Sequence, residues 1–297
     1  MRILHLLNWN IDKIQQNLMK IQYQGFDAVQ INPIQPLKEY SDQWWMSYQP
    51  CGFRIGNRYG DKKQLIELCN EAKKYNIKIF ADVICNHTAG KNDGSLFPHE
   101  NVDSILTDHP DFFKERKIIY NWNNRFEVIH YCMGLPGLNV ENHELQDIII
   151  DFLNELVDCG VEGFRFDAAK NIGLPEEGCD FFPRVIYCLK KYGLFLYGEV
   201  IFEKKELIDK YTRYIKVLTN SFGSNENNLV AFIESHDSYY DFGYTKGMDS
   251  KEISRHYSNL IEQFPHTLYF ARPFDLEWQS ETIRKNHEKQ KVKTIAR

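Results

Sequence analysis

The sequence predicts an α/β protein built as a (β/α)8 barrel with a small inserted domain after the third strand. Three observations carry that reading. Short apolar, β-prone runs alternate with amphipathic stretches along most of the 297 residues. The alternation lapses once, between residues 88 and 142, where Asn, Asp, Gly, Pro and His accumulate. Three acid-bearing motifs each close an apolar run: Gly163-Phe164-Arg165-Phe166-Asp167, Gly198-Glu199-Val200 and Glu234-Ser235-His236-Asp237. A parallel barrel gathers such strand ends at one rim, where barrel enzymes keep their chemistry.

Taken in order, residues 3–7 form a short apolar strand. Ile11, Ile14, Leu18 and Ile21 then recur at helical spacing until Gly25 stops the helix. Residues 26–32 are the second strand, and Pro33 and Pro36 turn it into a long loop. Asp61 caps a helix through Leu65, Leu68, Cys69 and Ala72, and residues 77–84 are the third strand. The segment 88–142 has little periodicity and a few β-prone pieces, such as residues 126–131. An excursion of that length is usually functional. The domain division is therefore 1–87 with 143–297 for the barrel, and 88–142 for the insertion.

Leu145, Ile148, Ile149, Phe152, Leu153, Leu156 and Val157 make an apolar helical stripe ended by Gly160, and the fourth strand follows. Residues 183–192, 204–214 and 251–264 read as further helices. Residues 194–201, 214–218, 229–233 and 267–271 supply strands five to eight. The sixth helix is expected to be reduced or missing, because little chain separates strands six and seven. The basic stretch from Arg284 to Arg297 reads as a solvated last helix with a frayed end.

Composition narrows the partners. A net charge of −5 gives no electrostatic case for nucleic acid. No apolar run is long enough for a membrane span, and no signal peptide opens the chain, which starts as a strand. The seven cysteines are odd in number and include no CxxC pair, so buried free thiols and a cytoplasmic location are expected. Asn86-His87-Thr88 matches a glycosylation sequon but falls inside a candidate site motif, and is treated as a chance match.

Taken singly, an acid at a strand end is most often a cap or an ion-pair partner. The ordered set is different. Asp82-Val83-Ile84-Cys85-Asn86-His87, Gly163 to Lys170, Gly198-Glu199-Val200 and Ile233 to Asp237 follow one another at the third, fourth, fifth and seventh strands. With Trp44 to Pro50 and Leu135-Pro136-Gly137-Leu138-Asn139, this order resembles the α-amylase family, glycoside hydrolase family 13. The likeness covers almost the whole chain, in a short form without the family's C-terminal β-sandwich.

The resemblance implies a retaining glycosidase, in which one carboxylate attacks and a second carboxyl about 5–5.5 Å away serves as acid and then base. It makes Asp167 the nucleophile, Glu199 the acid/base and Asp237 a third carboxylate that grips the distorted sugar. It has His87 and His236 donating hydrogen bonds to sugar hydroxyls, Tyr48 stacking on the ring being cleaved, and Trp45 offering a platform further along. Asp82 would buttress Arg165 or Tyr48. Arg165 lies two residues before Asp167 in an extended strand, so it points to the same side and can fix that carboxylate.

The implied substrate is an α-glucan or oligosaccharide, with hydrolysis of α-1,4 links in starch, glycogen or maltooligosaccharides. A glucanotransferase, or another α-glucosyl transferase or isomerase, would use the same triad. A catalytically silent glucan-binding protein is the reading from a different class.

Many family members hold calcium between barrel and insertion. The usual ligands are the Asn of the third-strand motif, an Asp in the motif closing the insertion, and a carbonyl just after the nucleophile motif, often from His. Here Asn86 stays, but Gly137 stands at the Asp position and Asn171 at the His position. Calcium wants about six to eight oxygens, usually with carboxylates among them. No metal or other cofactor is therefore expected, with Asp93, Asp103 or Asp108 as alternative acids for a rebuilt site.

Overall fold

Eight parallel strands close in chain order into a barrel: β1 (Arg2–His5), β2 (Ala28–Ile31), β3 (Lys78–Val83), β4 (Gly163–Phe166), β5 (Phe195–Glu199), β6 (Lys216–Thr219), β7 (Leu229–Phe232) and β8 (Thr267–Phe270). The computed structural model describes the whole chain except residues 39–42, 202, 221, 222, 224, 242–244, 246, 274, 275, 296 and 297. β8 pairs back onto β1, with Ile3 beside Leu268, so no strand edge is left open.

The helices follow the apolar periodicity. α1 (Ile11–Tyr23) buries Ile11, Ile14, Leu18 and Ile21. α2 (Lys62–Lys74) starts at a capping box in which Asp61 accepts from the Gln64 N–H and Gln64 reaches back to the Asp61 N–H. In the inserted segment lie α3 (Ser104–Thr107) and α4 (Arg125–His130). Around the rest of the barrel come α5 (His143–Asp158), α6 (Phe181–Cys188), α7 (Lys205–Tyr211), α8 (His236–Tyr240), α9 (Ser250–Gln263) and α10 (Glu281–Ile295). Between β6 and β7 the described residues form only a 3-10 turn, Glu226–Asn228. Among the described residues no helix is long and apolar enough to cross a membrane.

Two expectations change. Residues 126–131 were β-prone by composition, yet they fall largely in α4, because the Asn124 side chain accepts from the Phe126 N–H and Val128 and Ile129 turn inward. The last helix is docked as well as solvated. Ile283 and His287 are fully buried, and His287 donates to the Gln24 carbonyl at 2.8 Å while its own carbonyl accepts from Arg2 at 3.0 Å. All seven cysteines are free thiols, six of them buried. Burial pushes the Cys51 and Cys69 thiols up to about 12, so they behave as small apolar groups.

The inside of the barrel is filled by Ile3, Ala28, Phe80, Tyr197, Leu218, Val230 and Leu268. Phe80 and Phe195 stack across it with centroids 5.2 Å apart, and Gly163 makes room for them. A Cβ at 163 would lie 2.5 Å from the Phe195 carbonyl oxygen and 2.6 Å from the Phe80 ring. The inserted segment has no separate core: Leu106, Phe112, Leu138 and Val140 pack into the same apolar cluster as α1, α2 and α5.

We expect Gly163→Ala to destabilise the fold by about 1–3 kcal/mol through overpacking. A urea midpoint equal to that of the parent protein would show that β4 and β5 yield there at little cost.

Candidate active site

The register of three strands builds the floor of the site. Asp82 on β3 lies beside Arg165 on β4, and Arg165 beside Tyr197 on β5. Two residues further up the same strands, side chains return to the same face, which places Asp167 just past β4 and Glu199 at the end of β5, both at the rim. Arg165 is almost fully buried and joins these levels. Its Nη1 donates to Asp82 at 2.9 and 3.1 Å and to Asp167 Oδ1 at 2.6 Å. Its Nη2 lies 2.9 Å from Glu199 Oε2. One planar guanidinium therefore spaces the two carboxylates of a candidate catalytic pair, a task for which its fixed fork is suited.

Glu199 Oε2 also accepts from the Ala168 N–H at 3.0 Å. Ala168 adopts φ 46° and ψ 37°, a left-handed conformation that costs a non-glycine residue roughly 1–3 kcal/mol. That turn directly follows Asp167 and aims the amide at Glu199. Both donors thus meet the same Glu199 oxygen, Oε2.

Asp82 is the shared foundation. It accepts from Gln30 at 3.1 Å and from the Tyr48 hydroxyl at 3.0 Å in addition to Arg165, and Tyr197 donates to Gln30 at 2.8 Å. It thus supports both Arg165 and Tyr48. Asp82 and Arg165 are covered and do not line the cleft. Both act from below the rim: Asp82 holds Arg165 and Tyr48, and Arg165 holds Asp167.

Above them opens a cleft of about 580 Å³, lined by Trp44, Trp45, Tyr48, Gln49, His87, Trp122, Met133, Leu135, Asp167, Ala168, Lys170, Asn171, Glu199, Ile201, His236 and Asp237. The Tyr48 and His236 rings stack with centroids 4.9 Å apart and planes within 4°. Trp45 is 42% exposed and Trp122 46% exposed, so both present open faces. A second depression of about 610 Å³ lies at the opposite end of the barrel, beside residues that precede β7 and β8.

The histidines are neutral groups here. Burial lowers the His87 and His236 rings below the usual range, and for His236 the neighbouring His5 and Arg165 add to the effect. His87 Nε2 donates to the Tyr48 carbonyl at 2.9 Å, which leaves Nδ1 of a neutral ring as an acceptor. Nδ1 is buried, and the Nε2 N–H is taken up by the protein. His236 Nε2 lies 3.4 Å from Asp237 Oδ1.

Asp82, Asp167, Glu199 and Asp237 crowd around one guanidinium. Burial pushes the Asp82 carboxyl up to about 7, against the pull of Arg165. Burial and then the charge of Glu199 raise Asp237 well above the usual carboxylate range. The site therefore holds protons near neutral pH, as carboxyl pairs that share a charge do.

Glu234, in the third acidic motif, turns away and forms a bidentate pair with Arg272, at 2.7 Å for each bond. Sequence reasoning missed Gln30, Tyr197, His5, Trp44, Trp122 and Lys114. The first three are single polar-tipped residues inside apolar strand runs, which is a usable signal. Trp44 stacks on Tyr240 at 5.4 Å, a contact no local pattern foretells.

Lys114, in the inserted segment, is buried with its Nζ 2.8 Å from Asn86 Oδ1 and 2.9 Å from the Asn171 carbonyl oxygen. These two oxygens are the ones the family resemblance offered to calcium. With a lysine nitrogen on both and no carboxylate from Gly137, this donor set does not fit that ion. The alternative acids lie elsewhere: Asp93 accepts from the Ser95 N–H, Asp103 pairs with Arg54, and Asp108 is exposed. Burial pulls Lys114 down to about 7, whereas two oxygen acceptors favour its protonated form.

Comparison with known proteins bears on the family and the fold. The family described as "Alpha amylase, catalytic domain" matches residues 10–294. The chain belongs to that family. It is similar to an alpha-amylase of Clostridium acetobutylicum, with 34% identity over 80% of this chain and 35% of that protein. An alpha-amylase of Tenebrio molitor is 30% identical over 76% of this chain and 51% of its own length. The chain thus spans about a third to a half of these relatives. Among solved structures, an alpha-amylase of Geobacillus thermoleovorans complexed with acarbose superposes with a TM-score of 0.78 at 16% identity, over 100% of this chain and 80% of that one. A cyclomaltodextrin glucanotransferase shares the fold at a TM-score of 0.73 and 15% identity, over 95% of this chain and 72% of that one.

The raised Asp237 carboxyl gives a stability test. A carboxyl whose folded pKa exceeds its unfolded value costs stability as pH rises from the unfolded value, near 4, through the folded one. Asp237→Asn removes that cost. We expect its melting temperature to exceed the parent's at neutral pH, and the difference to shrink as pH falls toward 4. A variant less stable than the parent at pH 7 and no less stable at pH 4 would contradict the assignment.

Proposed function

We propose that this chain is a retaining glycoside hydrolase that cleaves α-1,4-glucosidic bonds in α-glucans such as starch, glycogen or maltooligosaccharides. The observation that carries the reading is the single Arg165 guanidinium bonded to both Asp167 and Glu199 at the rim of an aromatic-walled cleft.

In the first step an Asp167 oxygen attacks the anomeric carbon. The glycosidic carbon–oxygen bond breaks, and the leaving oxygen takes a proton from Glu199. Asp237, whose carboxyl burial and then the charge of Glu199 raise well above the usual range, lines the same cleft and binds hydroxyls of the distorted ring. In the second step Glu199 takes a proton from water, the water oxygen attacks the anomeric carbon, and Asp167 leaves as a carboxylate. Tyr48, stacked on His236, forms the platform for the sugar at the cleavage point. Trp45 and Trp122 extend the apolar wall for neighbouring sugars. The free thiols are compatible with a cytoplasmic setting.

A maltooligosaccharide ladder tests this directly. We expect shorter glucans released first as α-anomers by proton NMR, with little incorporation of added maltose or glucose. A β-anomer appearing first would exclude double displacement. Products longer than the substrate, growing with added acceptor, would assign the triad to transfer instead. Tight oligosaccharide binding with no turnover would mark a binding protein.

A further inference from the structure

The junction between inserted segment and barrel is built around Lys114. Its N–H donates to the Gly137 carbonyl at 2.8 Å, and Phe113 bridges to Leu138, so the backbone lies against the chain that closes the insertion. From there the side chain runs inward, and its Nζ reaches Asn86 Oδ1 and the Asn171 carbonyl. One nitrogen thereby joins three separate pieces of chain: the end of β3, the inserted segment, and the turn after β4. Gly137 lines the path. A Cβ there would lie 2.9 Å from Lys114 Cδ and 3.4 Å from Lys114 Cβ, so a side chain at 137 and a lysine in this pose compete for one space.

We propose that the Lys114 ammonium is a tethered substitute for a bound metal ion at this junction, and that Gly137 is its complement, bare so that the lysine stem can pass. An ammonium brings a positive charge and three donors to oxygens that would otherwise face inward unpaired. Being covalently attached, it loses nothing to dilution or chelation, whereas a metal stabilises only in proportion to the logarithm of its concentration. Asn86 precedes His87, and Asn171 follows Asp167 by four residues, so the same contact steadies both loops at the cleft. That last consequence rests on the proposed function; the substitution itself does not.

Thermal unfolding and calorimetric titration with calcium decide it without reference to activity. The parent protein should melt at one temperature in EDTA and in calcium. Lys114→Met should lower that temperature by about 5 °C or more, through two buried oxygens left unpaired, and calcium should not restore it. The double variant Lys114→Ala, Gly137→Asp should regain stability with calcium but not with magnesium, and should bind about one calcium in the calorimeter. A parent protein whose melting temperature falls in EDTA and recovers with calcium would overturn the proposal. So would a Lys114→Met variant as stable as the parent, or a double variant indifferent to calcium. Should Lys114→Met fail to fold, calcium-dependent folding of the double variant supports the proposal, and its absence overturns it.

Discussion

The buried guanidinium of Arg165 is the interaction on which the candidate site depends. It is fixed from below by Asp82, which Gln30 and Tyr48 hold in turn, and it fixes Asp167 and Glu199 above. Removing one partner of a buried charge pair typically costs about 3–5 kcal/mol, because the other charge stays buried and unpaired. Here one cation serves several acids, so its loss would leave the acids crowded with no positive charge among them. Burial is also what raises the carboxyls: it holds Asp82 above the ordinary range against the pull of Arg165, and it holds Asp237 above that range with the charge of Glu199 adding to the effect.

The barrel makes this arrangement inexpensive in backbone terms. Parallel strands in register place Asp82, Arg165 and Tyr197 in one row, and the two-residue repeat of a strand carries Asp167 and Glu199 to the next level. A departure from relaxed geometry at the rim falls at Ala168, whose left-handed conformation turns its amide toward Glu199. Strain of this kind persists where its surroundings over-determine it, and the surroundings here are the rim of the cleft.

The eight strands and most helices were legible because a barrel strand buried on both faces reads as a short unbroken apolar run, while a helix buries one stripe at period 3.6. The acids at strand ends were legible for the same reason, since a charged residue closing an apolar run stands out. Tertiary partnerships were not. Residues 126–131 looked β-prone until a local Asn124 cap and the burial of Val128 and Ile129 made them helical. His287 sat in a basic stretch that read as solvated, yet Gln24 and Tyr257 draw its ring inside. Lys114 was invisible because nothing local distinguishes a buried lysine from an exposed one; its acceptors lie 28 and 57 residues away. The vacated acid position at Gly137 was visible, but the side chain that fills its space was not.

The division of labour between Asp167 and Glu199 is the claim on which the rest turns, and trapping the covalent intermediate tests it most directly. Incubation with a 5-fluoro α-glucosyl fluoride, which slows breakdown of a glycosyl-enzyme, followed by proteolysis and mass spectrometry, locates the attacking oxygen. One fluoroglucosyl group on the peptide containing Asp167, and none in Asp167→Asn, is the expected result. Label on Glu199 or Asp237, or steady turnover of a glucan substrate with no label anywhere, would contradict it.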